Sequence, residues 1–213
     1  MKRFAMDWLE QWKNKKNRKP LIVEGASGVG KTWLIKEFGE KEYSDTVYVD
    51  FKQKDDRIKR LFEGSLDIGF LLSGLEVYSG KQISTSDILI IFDNIQEMPQ
   101  MVPSLRCFYE DIQDYHVICA SSLLNIVSLY DTVFSLTGKV EILQLYPMSF
   151  QEFFQEVEPK EHLRNFLSKG NFTMTDIFRK NYVEVLKNYF FVGGMPEAVL
   201  QFIKYKDLDR ARD

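Results

Sequence analysis

At 213 residues, with 45% hydrophobic and 28% charged side chains, the chain can bury a large core as one sizeable domain, or as one domain and a small appendage. A formal charge of −3 speaks against wholesale, nonspecific binding of nucleic acid and leaves room for a local basic patch. Two cysteines, Cys107 and Cys119, read as buried thiols rather than a disulfide framework, and no apolar run is long enough to span a membrane.

Met1-Lys2-Arg3 is a basic start with no signal-peptide apolar region behind it, so the cytoplasm is the expected compartment. Residues 3–17 read as an amphipathic helix, because Phe4, Trp8 and Trp12 recur at spacing four with Ala5 and Leu9 beside them. Its expected use is packing against the domain that follows. Lys13, Lys15, Lys16, Arg18 and Lys19 form a basic run that suits a solvated helix end, or one placed near a nucleotide or an acidic partner. Leu21-Ile22-Val23-Glu24, behind Pro20, reads as a short buried strand.

Gly25-Ala26-Ser27-Gly28-Val29-Gly30-Lys31-Thr32 then fits G-x-x-x-x-G-K-S/T, the phosphate-binding loop. Trp33 to Phe38 continue as a helix that Gly39 can end. A glycine turn before a helix also arises by chance, but here Lys and Thr stand in register and both flanks are of the right type. Glycines let several N–H groups point inward at phosphate oxygens, and the helix N-terminus adds its partial positive charge. Gly25, Ala26, Ser27, Gly28, Val29, Gly30, Lys31, Thr32 and Trp33 are therefore the expected nucleotide-binding set. Lys31 would serve the β- and γ-phosphates and the Thr32 hydroxyl one Mg²⁺ position.

Thr46 to Phe51 read as a second strand, 53–63 and 66–78 as helices, and Ser84-Thr85-Ser86 as loop. Ile88-Leu89-Ile90-Ile91-Phe92 is a strand buried on both faces, and Asp93 ends it where α/β sheets place ligand chemistry. Asp93 would share the metal with Thr32. Residues 99–113 read as a helix that Pro99 could open, with Pro103 implying a start or kink further in. Tyr115 to Ser122 read as another buried strand; its terminal Ser121 and Ser122 are either functional hydroxyls or plain turn chemistry. His116 lies at the wrong end of that strand for catalysis and reads as structural, and His162 as exposed. Val140 to Leu145 alternate as an edge or half-covered strand. From Ser149, a capping box with Glu152 opens a helix through Val157, and helical stretches follow near 159–168, 175–191 and 196–205, their aromatics (Phe166 among them) spaced as a core.

The chain resembles, over nearly its whole length, the bacterial and archaeal AAA+-like ATPases that carry a further uncharacterised C-terminal domain. The resemblance runs through Lys19-Pro20-Leu21-Ile22-Val23, the glycine loop, Phe92-Asp93-Asn94-Ile95-Gln96 and Ser122-Leu123-Leu124. It continues in Leu145-Tyr146-Pro147-Met148-Ser149-Phe150 and Gly193-Gly194-Met195-Pro196-Glu197-Ala198, which are more specific than the loop. It implies a three-layer α/β P-loop NTPase fold with a parallel five-stranded sheet and a partial helical lid. Residues 1–148 would be the ATPase core with its N-terminal helix, and 149–213 the lid region, cut before a further domain. It also implies ATP with Mg²⁺, and Ser121 or Ser122 as the γ-phosphate sensor that AAA+ ATPases carry at the end of this strand. Two departures matter. The family pattern continues Asp-Glu-Ile-Gln, whereas Asn94 stands here in place of the glutamate that orients and deprotonates water. An amide can hold a water but cannot take its proton, and losing a general base costs ~10²–10⁴-fold in rate. Relatives also often show Gly-Arg at Gly138-Lys139, and lysine lacks the planar fork of an arginine finger.

The expected function is Mg-ATP binding with weak hydrolysis coupled to conformational change, Lys31, Asp93, Asn94 and Ser122 being the catalytic set. The alternative is a nucleotide-loaded switch or scaffold that engages a protein or nucleic-acid partner with negligible turnover. A nucleotide kinase would need an arginine-rich acceptor lid, and 150–213 is aromatic and apolar instead. No guanine-reading Asn-Lys-x-Asp stretch argues for GTP. ATP or ADP is the expected ligand and a homo-oligomer or protein client the expected partner; nucleic acid stays open, and no membrane is expected.

Overall fold

The computed structural model describes residues 1–63, 67–83, 87–112, 114–122, 136–158 and 175–205, with side chains in the last stretch from Tyr182 onward. The chain divides into two compact units, one of Ala5–Leu145 and the other of Met1–Phe4 with Tyr146–Asp213. The Ser84–Ser86 cluster, Leu123-Leu124, the expected helix at 159–168 with His162 and Phe166, and the tail from residue 206 lie outside the described residues.

The larger unit is built on five parallel strands, β1 (Leu21–Gly25), β2 (Asp45–Asp50), β3 (Ile88–Asp93), β4 (His116–Ser122) and β5 (Glu141–Leu145), in the order β2-β3-β4-β1-β5. β1 and β3 are buried at every position, as strands covered on both faces must be, which is why they read as unbroken apolar runs. Alternation along each strand sends its side chains to opposite faces. Leu21, Val23, Ile91 and Ala120 pack with Leu9 and Trp12 of α1 (Phe4–Lys13) and with Ile35 and Phe38 of α2 (Lys31–Glu42). Ile22, Val49, Phe92 and Cys119 pack on the other face with α3 (Asp56–Glu63), α4 (Ile68–Ser79) and α5 (Ser104–Glu110). The result is the expected three-layer α/β architecture. β5 lies at one edge and is half covered, again as its alternation implies.

Gly39 and Gly74 sit inside helices, Gly39 against expectation. Gly39 does not end α2, which runs on to Glu42; it is a contact point, since a Cβ there would lie 2.5 Å from Thr46 Cγ2. Gly74 likewise sits inside α4 because Leu61 of α3 presses on it, 2.3 Å from where a Cβ would be. The expected helix over 99–113 is shorter: a 3-10 turn, Pro99–Met101, precedes α5, which starts directly after Pro103.

In the smaller unit, the capping box forms as read, with Ser149 and Glu152 each accepting from the other's backbone N–H at the start of α6 (Phe150–Val157). Glu152 also takes hydrogen bonds from the Arg3 guanidinium at 3.1 Å and from Phe4 N–H at 2.9 Å. Met148, Phe153, Phe154, Val199 and Phe202 form its core with α7 (Thr175–Val192) and α8 (Pro196–Tyr205). Gly194 lets Met148 N–H reach its carbonyl at 2.6 Å.

The basic run after α1 is engaged at the N-terminal ends of the strands, away from the glycine loop. Lys13 pairs with Glu42 at 3.2 Å, Lys15 with Glu141 at 2.5 Å, and Arg18 lies over Trp12. Of the two readings of this run, neither a freely solvated end nor a place beside the glycine loop describes Lys13 and Lys15. His116 is buried beside it, with Nδ1 2.6 Å from the Tyr43 hydroxyl and its ring edge-on to Tyr43 and Trp12. Burial, helped by the charges of Arg18 and Lys13, pushes the imidazole pKa down to about 3, while burial pushes the Tyr43 phenol up. The phenol therefore donates and the neutral imidazole accepts at Nδ1. In the unfolded chain this histidine titrates near its ordinary value of about 6.5, so its contribution to stability is complete above that pH and is lost as pH falls toward 3. His116 ring carbon resonances should stay unchanged between pH 7.5 and 5, and the urea midpoint should fall over that range. An imidazole that titrates near 6 contradicts this packing.

Candidate functional site

The C-terminal ends of β1, β3 and β4 meet at one edge of the sheet, where the strand order reverses around β1. Gly25 closes β1 in register with Ser122 on one side and Leu145 on the other. Only glycine fits there, because a Cβ would lie 2.3 Å from the Leu145 carbonyl oxygen. Gly28 and Gly30 hold φ values of +78° and +97°, a region that other residues enter at a cost. Val29 between them is fully buried and anchors the loop to the α2 side of the core, while Ala26, Ser27 and Gly28 are exposed.

α2 begins at Lys31 without a side-chain cap, its first-turn N–H groups facing the loop's concave side. The Lys31 ammonium donates to the carbonyls of Gly25 and Ala26, both at 2.8 Å. Burial lowers its pKa, the nearby Asp93 opposes that, and Lys52 adds to it. Trp33 is exposed on α2.

The Thr32 hydroxyl donates to Asp93 Oδ2 at 2.7 Å. That same oxygen accepts from the Tyr48 hydroxyl at 2.8 Å, and Oδ1 accepts from Asn94 N–H at 2.9 Å. Asp93 is only 2% exposed, so these three donors are what makes its burial tolerable. Burial first, then the hydrogen bond to Asp93 and the charges of Asp93 and Asp50, push the Tyr48 phenol up and keep it a donor. Lys36 Nζ stands 3.8 Å from the centre of the Tyr48 ring. Thr32 and Asp93 together offer one hydroxyl and one carboxylate, hard oxygens of the kind that suit Mg²⁺ shared with substrate phosphates. Among the described residues no group of three or more His, Cys, Asp or Glu could hold a metal by itself.

Asn94 occupies the left-handed region at φ +58°, which asparagine tolerates. Its amide nitrogen donates to Asp50 Oδ1 at 2.8 Å and its oxygen accepts from Gln96 Nε2 at 3.4 Å. Gln96 Oε1 in turn accepts from Ser122 N–H at 3.3 Å. Asp50, Asn94, Gln96 and Ser122 thus form a chain of side chains and backbone across the ends of β2, β3 and β4. Ser121 is buried, and its Oγ has no hydrogen-bond partner among the described residues. Lys139 forms an ion pair with Glu110, which also takes Arg106.

The glycine loop, Lys31, Thr32, Asp93, Asn94, Ser121 and Ser122 thus lie at this edge with Trp33 at its margin, whereas Lys139, just ahead of β5, lies at the opposite edge. Sequence reasoning missed Tyr48, Asp50, Gln96 and the buried Glu24, which accepts from Gln144 at 2.8 Å and whose pKa burial raises. Asp50 carried a usable signal, because the rule that singled out Asp93 (an acid at the C-terminal end of a parallel strand) applies to it equally. Tyr48 carried none, since a tyrosine in an alternating strand reads as packing.

A family model described as an AAA domain matches residues 17–154. The chain belongs to the AAA domain family. This AAA domain is similar to the Walker-type ATPase PABY2304 of Pyrococcus abyssi, with TM-score 0.53 and 15% identity over 97% of this chain and 68% of that one. It is similar also to domain III of the replication initiation protein DnaA from Thermotoga maritima, with TM-score 0.50 and 17% identity over 98% and 88% of the two chains. PCH-2 of C. elegans gives TM-score 0.51 and 13% identity over 96% and 62%. At such identities the likeness is one of fold. No curated protein matches the chain in sequence. Among the described residues no helix is long and apolar enough to cross a membrane.

Gly25→Ala should force β5 away from β1 and lower stability by about 1–3 kcal/mol, read by thermal unfolding with amide exchange of β5 as the local probe. An unchanged melting curve contradicts the contact between Gly25 and Leu145.

Proposed function

We propose that this AAA domain binds Mg-ATP at the ends of β1 and β3 and hydrolyses it slowly, using the cycle to drive a conformational change. The observation that carries the reading is the 2.7 Å approach of Thr32 Oγ1 to Asp93 Oδ2 directly in front of the glycine loop. The loop N–H groups and the α2 N-terminus bind phosphate oxygens, and Lys31 brings a mobile positive charge from the carbonyls of Gly25 and Ala26. Thr32 and Asp93 would hold Mg²⁺, which neutralises charge on the β- and γ-phosphates. Tyr48 keeps the Asp93 carboxylate aimed, as groups behind a metal ligand generally do. Asn94 and Ser122 lie on the side of the loop where the terminal phosphate and its attacking water would sit.

A second reading, a nucleotide-loaded switch with negligible turnover, is favoured by one observation: the residue after Asp93 is an amide. In that case ATP binding alone would set the conformation seen by a protein partner, a second copy of the chain, or nucleic acid.

Phosphate release and nucleotide affinity, measured with Lys31→Ala beside the unmodified chain, test the main reading. The variant should bind Mg-ATP about 10- to 100-fold more weakly, the loss of a charge-assisted contact, and release phosphate at background rate. Equal affinity and equal release in the two proteins would remove the glycine loop from the function.

A further inference from the structure

Hydrolysis requires a proton acceptor that residue 94 does not supply. The oxygen of water attacks the γ-phosphorus, the bond from that phosphorus to the β–γ bridging oxygen breaks, and the electron pair leaves with ADP. The proton of the water goes to a side-chain base where one is in reach, and otherwise to a γ-phosphate oxygen. The Asn94 amide can aim a water but is not basic. The described carboxylates at the ends of β1, β2 and β3 are Glu24, Asp50 and Asp93, and Glu97 follows at the far end of the 3-10 turn Ile95–Glu97, exposed to solvent. Asp93 is engaged by three donors and belongs to the proposed metal position. Glu24 points to the opposite face of the sheet, on the side of Ile22, and is held by Gln144.

Asp50 is different in each respect. It faces Asp93 in register across β2 and β3, and its side chain lies on the α2 face, as does that of Tyr48 two residues earlier. It is partly exposed, so a water can reach it. Its Oδ1 accepts from Lys52 N–H at 3.0 Å and from the Asn94 amide at 2.8 Å, which fixes the carboxylate from two sides. Its Oδ2 accepts no hydrogen bond from any described residue. The Asn94 amide is itself oriented by Gln96, which leaves its donating end on Asp50.

We propose that Asp50 is the catalytic base, accepting the proton of the attacking water at its carboxylate, and that Asn94 is the positioning residue that holds it there. The carboxylate and the amide are both present, with the carboxylate on β2 and the amide after β3. This inference rests on the reading that the chain hydrolyses Mg-ATP. It also accounts for an asparagine at position 94: a glutamate there would set a second negative charge against Asp50.

The test compares the unmodified chain, Asp50→Asn, the reciprocal pair Asp50→Asn with Asn94→Asp, and Lys31→Ala as the blank. Three quantities are read: phosphate release, Mg-ATP affinity by displacement of a fluorescent ATP analogue, and the Asn94 side-chain amide resonances without nucleotide. Asp50→Asn should lower release by ~10²-fold or more, down to the blank if basal turnover is small, with affinity changed less than threefold. The reciprocal pair should recover at least tenfold over Asp50→Asn, and the Asn94 amide resonances should shift when Asp50 is replaced. Release above one third of the unmodified rate in Asp50→Asn overturns the assignment while leaving hydrolysis intact. Loss of affinity together with release, unrescued by the reciprocal pair, marks Asp50 as structural and overturns it too. Amide resonances indifferent to Asp50→Asn mean the pair does not exist. Unmodified chain at blank level overturns both the assignment and the hydrolysis reading.

Discussion

Asp93 is a carboxylate at the end of a strand that is buried along its whole length, and a buried carboxylate survives only where donors replace the water it has lost. Thr32 from α2, Tyr48 from β2 and the N–H of Asn94 provide them. Each comes from a different element, so the position of one carboxylate ties together the helix that starts after the glycine loop, the neighbouring strand and the turn beyond β3. The loop is tied to the same arrangement, because Thr32 is the second residue of the helix that begins directly after it.

The two ends of the sheet are put to different uses. At the N-terminal ends, His116, Tyr43 and Trp12 form a buried aromatic group beside Lys13, Arg18 and Lys15, which engage Glu42, Trp12 and Glu141 of the same unit. At the C-terminal ends Ala26, Ser27 and Gly28 of the glycine loop are exposed. A parallel sheet favours this division, since all strands deliver their termini to the same edge and the crossover helices leave that edge open.

Much of this was legible in the sequence because the physics involved is local. The buried strands declare themselves as apolar runs, the glycine loop by its spacing, and the start of α6 by Ser149 and Glu152 three residues apart. What escaped depends on contacts between distant segments. Gly39 reads as a helix stop because nothing in its neighbourhood says that Thr46 and Leu89 will press on it. Tyr48 reads as strand filler until β2 is laid beside β3. Asp50 and Asn94 are 44 positions apart, and only the β2–β3 register makes them one pair. The basic run could be placed at either end of the sheet until Glu141 and Glu42 fixed it.

The proposed function depends on Asp93 and Thr32 forming a single metal position in front of the loop. Calorimetric titration of ATP, with and without Mg²⁺, into the unmodified chain and into Asp93→Asn tests this most directly. The unmodified chain should bind ATP more tightly with Mg²⁺ than without it. Asp93→Asn should bind ATP in the absence of Mg²⁺ much as the unmodified chain does and gain nothing when Mg²⁺ is added. If Asp93→Asn keeps the full gain from Mg²⁺, the metal is held elsewhere, and the hydrogen bond between Thr32 and Asp93 is a feature of the fold alone.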